Sequence, residues 1–221
     1  MRFDPDTRRR VLLVSLFAVA FGFVESSVVV YLRSLYYPEG FTFPLKVISE
    51  AHIAVELARE GATIVMLVAV GWLAGATGWQ RFGYFVVAFG IWDIFYYVWL
   101  KVVLDWPAAL SDWDVLFLIP LPWISPVIAP VLISILMVVC GVLMILRIQQ
   151  GRHFRPTLIS WVLALAATVI AVYSFTYDVE ATLRGGMPSP YPYGCLLVSL
   201  VLYTSAFVAA CKEPRASCPT A

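Results

Sequence analysis

The chain has 221 residues, 62% hydrophobic and 13% charged, with a formal net charge of +1. A soluble domain carries roughly a quarter charged residues, so an ordinary water-soluble globule is excluded. Near-neutral charge with no basic, aromatic-interleaved patch excludes a nucleic-acid partner as well.

In chain order, the basic segment MRFDPDTRRR leads into a first apolar span at 11–32. It resembles a signal peptide only at its start. No small-residue cleavage site follows and apolar sequence resumes through VVVYL, so it reads as a retained anchor. The second span, 47–73, is apolar at its end but opens with SEAHIAVELAREGAT. The third covers 82–104. Next comes DWPAALSDWDVLFLIPLPWISP, whose apolar part is too short to span and is broken by Pro120 and Pro122. It predicts an interfacial or re-entrant segment, with Ser125 as cap and Pro126 opening the fourth helix. That helix covers 126–146, the fifth 157–177 and the sixth 193–211.

The fold expected is an all-α, polytopic integral membrane bundle of six transmembrane helices, one domain over 1–221. With the N-terminus inside, segments 1–10, 74–81, 147–156 and 212–221 hold ten Lys and Arg residues. The outer loops hold only Arg33, Lys46, Lys101 and Arg184. The positive-inside rule then sets both termini in the cytoplasm and the chain in the plasma membrane, the inner one in a Gram-negative bacterium. Only Cys195 faces outward, so no disulfide framework is expected. Cys140 and Cys211 fall near inner helix ends and Cys218 in the tail. The terminal CPTA lacks the aliphatic pair of a prenylation box.

Functional residues are sought in the second span. GATIVMLVAVGWL alone covers about 20 Å against a core near 30 Å, so the helix must reach back to about Ile53. His52, Glu56 and Glu60 then recur one turn apart, with Arg59 and Thr63 beside them. Glu25 lies about 22 Å beyond the inner boundary on the first helix and Asp93 about 18 Å on the third. Glu56 and Glu60 fall at about 26 and 20 Å. Four carboxylates on three helices thus share a depth in the outer leaflet, and ionised groups facing lipid cost roughly 2.5–3.5 kcal/mol each. They are expected to face one buried pocket.

In that pocket Glu25, Glu56, Glu60 and Asp93 are the candidate catalytic residues. His52, Arg59, Trp92, Tyr96, Tyr97 and Lys101 are the candidate substrate-binding ones. Carboxylates held at different pKa values perform acid–base chemistry, and the aromatics suit a prenyl or acyl chain or a cation. Hydrolase, zincin and phosphate-loop motifs are absent, and Ser26, Ser27 and Ser134 read as helix-packing residues. One histidine without a nearby cysteine does not make a zinc site, and the Glu-x-x-His pairs of di-iron bundles are missing. His52 one turn from Glu56 among further carboxylates would suit Mg, Mn or iron better, so metal binding stays open, and no cofactor is expected. His153 reads as an ordinary loop residue. The function expected is a membrane-embedded enzyme acting on a lipidic or isoprenoid substrate, with membrane lipids around it. A proton-coupled carrier and an accessory subunit of a larger membrane complex are the alternatives, and a purely structural ion-pair network is the baseline they must beat.

Overall fold

The computed structural model describes residues 3–41, 50–119, 121–152 and 154–212. Lys46, the start of the second span at 47–49, Pro120, His153 and Cys218 lie outside the described residues. The elements are α1 (Pro5–Tyr36), α2 (Glu50–Ala74), α3 (Gly78–Leu104), β1 (Trp113–Phe117), β2 (Trp123–Pro126), α4 (Ile128–Gln149), α5 (Leu158–Thr176), α6 (Val179–Leu183) and α7 (Tyr193–Cys211).

Helix ends follow capping more closely than hydropathy. Asp4 accepts hydrogen bonds from the amides of Asp6 and Thr7 ahead of Pro5, so α1 begins before its apolar run. Thr77 and Gln80 form a capping box that starts α3 at Gly78, and Thr157 with Ser160 does the same for α5. At its other end α1 continues past Leu32, which puts Arg33 inside the helix and buried rather than in an outer loop.

The all-α expectation is corrected at one place. β1 and β2 pair as an antiparallel hairpin, with Trp113 opposite Pro126, Asp114 opposite Ser125 and Val115 opposite Ile124. Ser125 and Pro126 therefore belong to β2, and α4 starts two residues later than expected, without a side-chain cap. Pairing with β1 satisfies this backbone, which the local cap signature could not foresee.

α3 is the hub, packed on α1, α2 and α4, while α5 packs on α7. The two groups meet more lightly, where β2 touches α5 and α4 touches α7. Small residues set the close contacts: a Cβ on Gly90 would stand 2.6 Å from the Ser134 carbonyl oxygen, and one on Gly141 2.9 Å from that of Gly83. Val14, Ala18, Leu67, Tyr84, Val87 and Ile145 form the core of the α1–α4 group.

The described parts of the basic segments gather at one end. Arg10 Nη1 donates to the Ala74 carbonyl at 3.0 Å, Trp79 packs edge-on against Phe154, and Arg147 Nη2 donates to the Cys211 carbonyl at 2.6 Å. The hairpin lies at the opposite end. Five segments, Pro5–Tyr36, Gly78–Leu104, Ile128–Gln149, Leu158–Leu183 and Tyr193–Cys211, are long and apolar enough to cross a membrane. α2, with its charged stripe, is not among them. Large apolar side chains such as Leu12, Leu16, Val65, Leu165 and Val169 face outward, as suits a multi-pass membrane protein.

Candidate functional site

Five elements, α1, α2, α3, β1 and, through Leu183, α6, contribute to one cavity of about 540 Å³ beneath the hairpin. Helical spacing puts Glu25, Val29 and Arg33 on one face of α1. α2 adds Glu56, Arg59, Glu60 and Thr63, and α3 adds Trp92, Asp93, Tyr96 and Tyr97. The hairpin closes it with Asp114 and residues 115–118. Five carboxylates and two guanidiniums line it.

These groups fall into distinct settings. Arg59 is a clamp: its Nε and Nη2 donate to Glu56 Oε2 at 2.9 and 2.5 Å, and its Nη1 pairs with Glu25 Oε1. Thr63 Oγ1 also donates to Glu25, at 3.2 Å. Glu60 instead accepts the Leu118 amide at 2.9 and 3.0 Å, which pins the hairpin to α2. Asp93 accepts the Ser134 hydroxyl at 2.8 Å, and that partner is neutral. The contact exists because Gly90 lets α4 approach one turn below Asp93.

A second ion pair stands at the hairpin end. Arg33 Nη2 donates to Asp114 Oδ1 at 3.1 Å, and both residues are buried. The guanidinium lies 3.7 Å from the ring centre of Trp106 and 4.3 Å from that of Phe41, within cation–π range. Burial pushes the Asp114 carboxyl up to about 6, against the pull of the Arg33 charge. The Trp92 indole N–H is buried against the cavity and has no hydrogen-bond partner among the described residues.

Of the residues expected from sequence, Glu25, Glu56, Arg59, Glu60, Trp92, Asp93, Tyr96 and Tyr97 all line the cavity. His52 and Lys101 do not. His52 is exposed, with Nδ1 2.6 Å from the Tyr36 hydroxyl, and Lys101 pairs with Asp105 at 2.7 Å at the end of α3. Sequence reasoning missed Arg33, Asp114 and the partnership of Ser134. Two signals were available: Arg33 lies two turns beyond Glu25, and Asp114 interrupts an apolar strand-like run. No three His, Cys, Asp or Glu side chains converge as a metal-ligand set among the described residues.

Comparison with protein-family models, with curated proteins and with solved structures returned no match.

Proposed function

We propose that the chain is a six-span membrane protein with both termini in the cytoplasm, and a membrane-embedded enzyme acting on a lipidic or isoprenoid substrate. Its site is the acidic cavity in the outer leaflet. One observation carries the reading: a carboxylate with a neutral partner shares a mostly apolar chamber with carboxylates clamped by an arginine. Arg59 holds the Glu25 and Glu56 carboxyl groups in place and forms a fixed polar wall. Asp93, bonded to Ser134, is the group able to take a proton from the substrate onto its carboxyl oxygen and return it. Tyr96, Trp92, Val29 and Leu57 offer apolar surface to a hydrocarbon chain.

Catalysis needs access from one side only, whereas a carrier must open the cavity to both. Below the cavity Leu67 is fully buried within the packed core of α1–α4. Ala69, by contrast, points outward and would report lipid. With the native cysteines removed, Leu67→Cys should stay unlabelled by a water-soluble thiol reagent, with or without a proton gradient. Labelling that changes with the gradient would speak for transport.

A further inference from the structure

We propose that the seam between the two helix groups is a separate binding site for one anionic phospholipid of the cytoplasmic leaflet, its chain in the seam and its headgroup against Arg155 and Arg147. The groups are tied at both ends. At the outer end Trp123 stacks on Phe175 with ring centres 5.6 Å apart. At the inner end Phe154 packs on Phe207, the Arg155 amide donates to the Ala210 carbonyl, and Arg147 holds the Cys211 carbonyl. Between these ties the faces stand apart around a cavity of about 900 Å³ walled by Phe82, Met137, Cys140, Ala164 and Phe207.

Three properties select the occupant. The walls want hydrocarbon: the hydroxyl groups among them are already paired, Thr168 with Tyr203 at 2.9 Å and Ser160 with Thr157 at 3.1 Å. An empty space of that size forfeits dispersion contacts on every wall, and the fluid at that depth is acyl chain. The length fits as well. The lining runs from Ile133 to Met144 on α4 and from Ser160 to Thr168 on α5, about 16 and 12 Å, close to one half of a core about 30 Å thick. Finally, the inner rim is basic. Segment 147–156 carries three arginines and no acid. The Arg155 and Arg152 side chains are exposed, and Arg147 Nε has no partner among the described residues. Basic clefts between helices on the cytoplasmic side recognise anionic headgroups.

The assignment rests on the proposed orientation but not on the chemistry of the outer cavity, with which the seam shares no lining residue. The test is native mass spectrometry of the delipidated full chain with added phosphatidylglycerol or phosphatidylcholine of identical chains. Wild type should retain one phosphatidylglycerol at least tenfold more strongly than phosphatidylcholine. Arg155→Gln should cut that preference at least threefold, and Ala164→Trp, which fills the seam, should cut retention at least tenfold while still melting cooperatively. Equal retention of both lipids by wild type, or an unchanged preference in Arg155→Gln, overturns the headgroup assignment. Undiminished retention in folded Ala164→Trp overturns the chain site. Should Ala164→Trp not fold, wild-type Cys140 gives the same answer: phosphatidylglycerol should slow its labelling by a lipophilic maleimide, and no slowing overturns the site.

Discussion

Asp93 and Glu25 line the same cavity, but their partners differ, and that difference decides what each substitution should do. Asn at 93 keeps an oxygen to accept the Ser134 hydroxyl and strands no cation. Asp93→Asn should therefore melt in detergent at or near the wild-type temperature while losing activity. Arg59→Gln leaves two buried carboxylates without their cation. Breaking such a pair costs roughly 3–5 kcal/mol, and at about 2–4 °C per kcal/mol for a chain this size the melting point should fall on the order of 10 °C. Glu25→Gln is a poor discriminator, since it opens the Arg59 clamp whether or not the acid is functional. A fall in Asp93→Asn as large as in Arg59→Gln would make the network a packing device. At this scale sequence was informative where a charge had to leave lipid: Glu25, Glu56, Arg59, Glu60 and Asp93 share a depth, and the cavity gathers them. It was uninformative above that level. His52 and Lys101, expected at the interface over the acids, turn to Tyr36 and Asp105 instead.

Among the elements, the contact of α3 with α4 governs the site. A side chain at Gly90 would strike the Ser134 carbonyl and Val138, forcing α4 away and pulling the Ser134 hydroxyl off Asp93. Gly90→Val should cost at least the roughly 1–3 kcal/mol typical of overpacking. Gly61→Ala, where a Cβ meets nothing within 4 Å, should be neutral or stabilising by about 0.5–1 kcal/mol. Detergent melting curves separate the two, and equal shifts would show that the glycine contact is not what holds α4 in place. The long helices were legible because hydrophobic runs of that length have few other fates. The hairpin was not, since short apolar runs look alike as strand or loop, and the prolines of this stretch read as breakers of a helix rather than as a sign of paired strands. Ser125-Pro126 is a sound helix-start signal that lost to pairing with Trp113 and Asp114.

Over the whole molecule, the basic segments meet at one end and the hairpin closes the other, and the proposed orientation assigns the first end to the cytoplasm. With the native cysteines removed, Glu39→Cys and Met187→Cys should react with an impermeant thiol reagent in sealed cells, and Gln150→Cys should not. These exposed positions avoid Gly40 and Gly151, whose positive φ would strain any replacement. Labelling at 150 alone would invert the protein and move the cavity to the inner leaflet. The central claim, that the cavity turns over a lipidic molecule with Asp93 as its acid–base group, is tested most directly by what the purified protein carries. Organic extracts of wild type, Asp93→Asn and the cavity-filling Val29→Trp would be resolved by chromatography and mass spectrometry. Asp93→Asn should hold a lipidic species that wild type does not accumulate, and Val29→Trp should lack it. Identical extracts from all three proteins would contradict the account.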